Sequence, residues 1–294
     1  MGLGSGVERL QTGMPEVRGR DATQICTDEV DMVQVRRMLS ADPIWAAYPL
    51  ADLQPEYSAD CRWMTGATSA GDAIALVYRG FDPPVLFTMG QPQALAAVLA
   101  QADLPEAIYV TIGESHLPVV SCHYAIEEVR PMHRMVLADT QAAVRGGKLS
   151  AEEPAIGATR LTGACAADVL QLLSHGGPFA PDAFSPAQMD RGVFFGIYGG
   201  EELLAVGGTH IVDFTSGGAG IGNMYTHPSY RRRGYSAAIL RAIVRELLER
   251  GVTNIVLNVD QRNPGAQALY LAHGFVVHVP YFEGKGNRNV DRVQ

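Results

Sequence analysis

The residues with the clearest chemistry in this 294-residue chain lie between Ile221 and Ala237. Arg231, Arg232 and Arg233 stand directly before Gly234-Tyr235-Ser236, where an amphipathic helix begins. A strand that ends in such a turn aims backbone N–H groups and the positive end of a helix dipole at one small volume, which suits an anion. Guanidinium groups add forked donors that match phosphate. A charge run is usually just a solvated loop, but Gly234 and the helix start weigh against that reading. Near the turn stand further polar or titratable groups: His210 and Asp213 on a preceding strand, Asn223 on the strand itself, and His227 beside the basic run. No His-x-x-x-His pair, Cys/His cluster, Gly-x-Ser-x-Gly elbow or Walker-type loop is present, so no metal is expected.

The elements that must position these groups follow from periodicity. Ile239, Leu240, Ile243, Val244, Leu247 and Leu248 form one apolar stripe over a helix from Ser236 to Arg250, with Gly251 just past its end. Asn254 to Val259 reads as a strand of the kind buried in a parallel sheet. Asn263-Pro264 opens another helix, which carries Ala266, Leu269 and Tyr270 and stops at Gly274 before a strand from Phe275 to Val279. Strand, helix, strand, helix, strand makes crossover units whose ligand crevice lies at the carboxyl ends of the strands, where the basic turn falls.

Upstream, Ala158–Leu161 reads as a strand and Ala164–Leu173 as a helix. Asp182–Asp190 is expected to be a short helix or loop over the cleft. Gly192–Tyr198 and Glu202–Asp213 are strands joined at Gly199-Gly200, and Gly217–Gly222 is expected to be a turn. Glycines 218, 220 and 222 do not make a dinucleotide fingerprint, because no helix begins within the run.

The first half reads as a small α/β unit with no phosphate-binding turn. It holds a helix over Thr27–Ser40, an apolar and aromatic segment over Ile44–Leu53, and a helix opened by Gln91-Pro92. Strands are expected at Asp72–Arg79, Val85–Met89, Ala107–Ile112, Val119–Tyr124 and Met132–Leu137. Composition shifts between Ala142 and Gly157, which divides the chain into a disordered tail (1–20), a first domain (21–145), a linker (146–157) and a second domain (158–294). The net charge of −8 disfavours a nucleic-acid or anionic-membrane partner, so any anion site is a local basic patch on an acidic body. Four scattered cysteines read as reduced core thiols, and no apolar run approaches the ~20 residues of a membrane helix; a soluble cytoplasmic protein is expected.

Arg231-Arg232-Arg233-Gly234-Tyr235-Ser236 resembles the pyrophosphate-binding turn of the GNAT acetyltransferase superfamily, with Ser236 where its last glycine or alanine stands. Asn263-x-x-Ala266-x-x-Leu269-Tyr270-x-x-x-Gly274-Phe275 is similar to that superfamily's closing helix and strand. The resemblance spans roughly Ala158 to Phe282. It implies an α/β (α+β) fold of tandem GNAT-like domains, a mixed twisted sheet flanked by helices, with the first domain a degenerate copy. It further implies acetyl-CoA as co-substrate. The peptide groups of Met224, Tyr225 and Thr226 would face the thioester and pantetheine, Arg231 to Ser236 would hold the pyrophosphate, and Asn263 and Ala266 would line the arm. Tyr270 would protonate the departing thiolate, which general acid assistance makes worth ~10²–10⁴-fold.

The implied activity is acyl transfer from acetyl-CoA to a primary amine of a small molecule or amino acid. The alternative is a coenzyme A-binding sensor that lacks a base; aminoacyl transfer from tRNA is disfavoured by the acidic balance. Shorter phrases, Pro84-Val-Leu-Phe-Thr88, His133-Arg-Met135 and Thr226-His-Pro-Ser-Tyr-Arg231, resemble the glycine N-acyltransferase-like branch. That branch carries a glutamate base whose place falls here on Gly220, which does not titrate. His210, Asp213, His227 or a water chain then remain to take the proton of the acceptor amine. Asn223 could orient such a water or hold the acceptor, and Glu283 could pair with its amine.

Overall fold

The computed structural model describes residues 23–27, 29–138, 140 and 157–289. The expected tail (1–20) and, but for Gly157, the expected linker (146–157) lie outside the described residues.

Each half begins with an antiparallel meander. In the first half it comprises β1 (Gln24–Cys26), β2 (Cys61–Thr68), β3 (Gly71–Tyr78) and β4 (Val85–Gly90). Helices α1 (Met32–Leu39) and α2 (Ala47–Ala51) intervene between β1 and β2. In the second half, β7 (Thr159–Leu161), β8 (Phe194–Gly199), β9 (Glu202–Asp213) and β10 (Gly218–Thr226) do the same, with α5 (Ala166–Leu173) and α6 (Pro186–Arg191) between β7 and β8. Each meander then passes through a helix into a parallel neighbour. β4 leads through α3 (Pro92–Gln101) to β5 (Ala107–Gly113), and β10 leads through α7 (Tyr235–Glu249) to β11 (Asn254–Asp260). A second helix follows in each half, α4 (Leu117–Ser121) and α8 (Pro264–Ala272), and then one long closing strand, β6 (Tyr124–Leu137) and β12 (Phe275–Arg288).

The closing strands are exchanged. β6 pairs with β11 of the second half, β12 pairs with β5 of the first, and β6 and β12 pair with each other along nearly their whole length. The result is a 12-stranded mixed sheet in the order β1-β2-β3-β4-β5-β12-β6-β11-β10-β9-β8-β7. The second crossover therefore does not place β12 beside β11, as adjacency in sequence would suggest; β6 lies between them.

Helices cover the sheet where their apolar stripes meet it. On α7, Ile239, Leu240, Ile243 and Leu247 are fully buried against Ile255, Leu257 and Ala219, each such side chain contributing about 1.5–3 kcal/mol. Leu95, Val98 and Leu99 do the same for α3 in the first half. α1 packs through Val35 and Leu39 beside Trp45 and Trp63.

Four local expectations need correction. The first helix starts at Met32 rather than Thr27, because the Asp31 carboxylate accepts the Val33 N–H and caps it there. Val119–Tyr124 is not a strand: Pro118 sits in the first turn of α4, which buries Val120, and the strand begins only at Tyr124. Gly217 turns, at φ 73°, but Gly218–Gly222 already belongs to β10. The last strand runs on through Pro280 to Arg288, beyond the expected Val279. β2, a buried strand in the first half, had no counterpart among the expected elements.

Candidate active site

β10 and β11 run together only from Gly218–Ile221 opposite Asn254–Leu257. Just beyond, the register of β10 against β9 slips between Gly222 and Tyr225, and Asn223 takes a left-handed φ of 54°. A bulge of this kind bends a strand and re-aims its groups. The two parallel strands part at their carboxyl ends, and a cavity of about 430 Å³ occupies the opening. Gly222, Asn223 and Met224 line one wall, and Asn263, Ala266 and Tyr270 the other. The structure thus brings part of β10 and the second motif to one cleft, while Arg231 to Ser236 lie beyond the residues that line it.

At the far end of β10 the chain turns through Arg232 at φ 65° and Gly234 at φ 79° into α7. Gly234 is the cap residue and offers no side chain, so no side-chain acceptor satisfies the first N–H groups of the helix. The open start of this 15-residue helix has the free N–H groups that suit an anion. Ser236 explains its departure from the family pattern here: its hydroxyl lies 2.9 Å from Thr226 Oγ1 and ties the helix start to the strand end. Arg231, Arg232 and Arg233 are all exposed. Arg231 Nε donates to the Thr226 carbonyl at 3.2 Å, and Arg233 stacks 5.0 Å over Tyr230. Tyr225 aims its side chain away from the cleft and donates to the Gly176 carbonyl at 2.7 Å, which leaves only its peptide group for the expected role.

Tyr270 is 6% exposed, with its ring edge-on to Phe275 at 6.1 Å. Burial raises the pKa of its phenol, so the hydroxyl keeps its proton at every physiological pH. Asn263 caps α8 by accepting the Ala266 N–H at 3.1 Å. Its side chain is thus committed to the helix while the residue still lines the cleft.

A second cavity, about 550 Å³, opens between the halves and shares Tyr109, His210 and Asn258 with the first. Tyr48 of α2 reaches into it and lies against β10. A β-carbon at Gly220 would sit 2.9 Å from the Tyr48 ring and hydroxyl, and one at Gly222 would collide with the His210 imidazole. The two glycines therefore exist to admit these rings. The room a glutamate at 220 would need is taken by a phenol that lies 3.3 Å from His210 Nδ1. His210 Nε2 is buried with no hydrogen-bond partner, and burial holds the imidazole below its usual pKa, hence neutral. Asn223 donates to Gln188 Oε1 at 3.0 Å, while its own Oδ1 has no partner. Gln188 belongs to α6, so the Asp182–Asp190 segment does lie over the cleft.

The other titratable candidates hold partners of their own, although Glu283 lines the first cavity and Asp213 the second. Asp213 accepts from the backbone of Thr215 and Ser216 and from the Ser216 hydroxyl. Glu283 accepts from the hydroxyls of Tyr109 (2.7 Å) and Tyr281 (2.6 Å) and pairs with Arg130. His227 turns toward His175, with ring centroids 4.2 Å apart. With Glu202, these two histidines bring one ligand atom each to within 4.8 Å of one another, a grouping invisible in the sequence. His227 Nδ1 accepts the Ser229 N–H, however, which leaves the ring proton on Nε2.

Tyr48, Arg134, Gln188 and Asn258 were not among the expected site residues. Only Arg134 carried a signal, as a lone charge inside the apolar strand Met132–Leu137.

A mixed sheet whose parallel central strands part at a bulge, with an uncapped helix end following the strand, makes a GNAT-like fold. Residues 170–275 match the model of the Acetyltransferase (GNAT) family. Over 106 residues, 36% of this chain and 70% of the relative, the sequence is 29% identical to the [ribosomal protein bS18]-alanine N-acetyltransferase of Escherichia coli strain K12. Solved structures extend the likeness to both halves. A Drosophila protein aligns with a TM-score of 0.65 at 17% identity, covering 89% of this chain and 98% of its own. A GCN5-related N-acetyltransferase from Sphaerobacter thermophilus aligns with a TM-score of 0.56 at 16% identity, covering 91% and 96%. These two likenesses are of fold. Among the described residues, no helix is long and apolar enough to cross a membrane.

Proposed function

We propose that the protein is an acetyl-CoA-dependent N-acyltransferase acting on a primary amine of a small molecule or amino acid. One observation carries this reading: the gap between β10 and β11 holds Tyr270 in its wall, and β10 runs on from it to Thr226, whose hydroxyl touches Ser236 at the uncapped start of α7. An acyl thioester bound there supplies an activated acetyl group, and its transfer to an amine frees a thiol. Arg231, Arg232, Arg233 and the peptide N–H groups of Gly234, Tyr235 and Ser236 hold the diphosphate. The peptide groups of Met224 to Thr226 orient the arm, and N–H groups at the bulge stabilise negative charge that develops on an acyl oxygen. Tyr270 holds a proton at its hydroxyl and delivers it to the leaving sulfur. His210 receives the acceptor's proton at Nε2, either directly or through a water held by Asn223.

Support for His210 comes from its neutral state, its unpartnered Nε2 and its place on both cavities. Gly220 motivates the sensor reading; the Tyr48–His210 pair packed against it supports a base supplied from outside β10. The E. coli relative is named for a protein acceptor. A chamber walled by the first half of this chain favours a small one.

The test is thiol release from acetyl-CoA over a panel of amines, with wild type beside Tyr270→Phe. Turnover is expected to fall about 10²-fold in the variant with coenzyme A affinity unchanged. Equal turnover across pH 6–9 removes Tyr270 from the chemistry.

A further inference from the structure

Arg134 projects from the middle of β6 into the second cavity and is 1% exposed. Three aromatic rings surround its guanidinium, Tyr48 at 4.6 Å, Trp45 at 5.4 Å and Tyr281 at 5.7 Å. Nε and Nη1 are both buried and have no hydrogen-bond partner. Aromatic faces attract a cation but accept none of its forked N–H bonds in the way an oxygen does. A buried charge left in that state is costly unless an anion completes it. The carboxylate that Tyr281 reaches, Glu283, is already held by two phenols and Arg130.

Asn258 on β11 stands opposite Arg134 in the register and lines both cavities. Its Oδ1 is also buried without a partner, as is Asn223 Oδ1 on the facing wall of the cleft. From chamber to cleft the order is thus two free donors, then two free acceptors. A molecule with a carboxylate at one end and an amine at the other completes both. Asp52, Glu56 and Asp213 line the same chamber, so a monoanion fits it better than a phosphate dianion.

We infer that Arg134 is the specificity-determining residue of the acceptor site, binding the free carboxylate of an amino acid whose amine then faces Asn258, Asn223 and the acyl group. The inference rests on the acyl-transfer reading for its direction, and its test separates the two.

The experiment uses the full chain and matched acceptors: the free amino acids, their amides, their decarboxylated amines, a tripeptide led by alanine, and phosphoethanolamine. Thiol release from acetyl-CoA and calorimetric binding in the presence of coenzyme A are both measured. Free acids are expected to exceed their amides and amines at least tenfold in kcat/KM, and Arg134→Met is expected to erase that margin while coenzyme A affinity stays the same. Amides, amines, the peptide or phosphoethanolamine serving as well as the acids would overturn the inference and leave acyl transfer standing.

If coenzyme A binds but no acceptor releases thiol, the acyl-transfer reading fails. The carboxylate site is then decided by binding alone: saturable binding of a free acid that Arg134→Met abolishes upholds it, and its absence sinks it. Thermal melting covers a structural role. A site kept for a ligand predicts that Arg134→Met melts at or above the wild-type temperature, since an uncompensated charge is removed; a fall of several degrees with loss of coenzyme A binding identifies a packing residue and overturns the inference.

Discussion

A glycine at position 220 and a phenol 172 positions earlier in the chain occupy one small space at the cleft. The chemistry of β10 is therefore readable from its own sequence only in part. The basic turn, Tyr270 and Asn263 could be singled out because each sits in a local pattern of strand end, helix start or cap. Tyr48 and Gln188 could not, because an aromatic residue on a five-residue helix and a glutamine on a six-residue one look like ordinary packing and surface. Asp52 is another such residue. Burial pushes its carboxyl from 3.8 up to about 7 on the wall of the second cavity. The unfolded chain ionises near ~4, so between about pH 4 and 7 it gives up a proton that the folded chain keeps, and stability falls as pH rises. Asp52→Asn is expected to flatten that part of the curve. It should raise stability at pH 8 by about 2 kcal/mol, half of what the full shift would convey, because the residue is partly open to solvent. Urea titrations at pH 4, 6 and 8 check this; parallel curves for the two proteins would show that Asp52 titrates normally.

At the scale of elements, the long helices and the strands with regular apolar runs were legible, since their periods are set by the faces they bury. α7 and β9 to β11 fall within a residue or so of expectation, apart from the early start of β10. What failed were segments where composition and context disagree. Val119-Val120 has β-branched character but follows a proline that starts a helical turn. Gly218–Gly222 has turn-like composition but lies in a strand because two rings from elsewhere need its bare face. The start of α7 carries the prediction at this scale. Its free N–H groups are fixed by Thr226 and Ser236, whereas the arginines around it are exposed and contribute mainly charge. Arg231→Glu together with Arg233→Glu is expected to weaken coenzyme A binding at least tenfold at low salt, and by less at 0.5 M. Calorimetry at both salt concentrations decides it: unaltered binding in the double variant would leave the phosphate turn without support.

At the scale of the whole molecule, the tandem arrangement was anticipated from the resemblance, but the exchange of closing strands was not, because strand pairing between halves leaves no mark on local periodicity. β12 finds its partners in β5 and β6, and β6 finds one of its own in β11. A fragment comprising residues 158–294 would keep the basic turn and Tyr270, yet it would leave β12 with no neighbour on either side. It would also expose Phe275 and Tyr281, which are at most 1% exposed in the whole chain. An unpaired strand of 14 residues with apolar faces is an aggregation edge. The fragment is therefore expected not to unfold cooperatively, and residues 21–157 supplied as a separate chain are expected to restore a single transition and the coenzyme A site with it. Circular dichroism melts of each fragment alone and of the refolded pair give the answer. A fragment that melts cooperatively by itself, near the temperature of the whole protein, would mean that the exchanged strands add little to stability and that the two halves are independent domains.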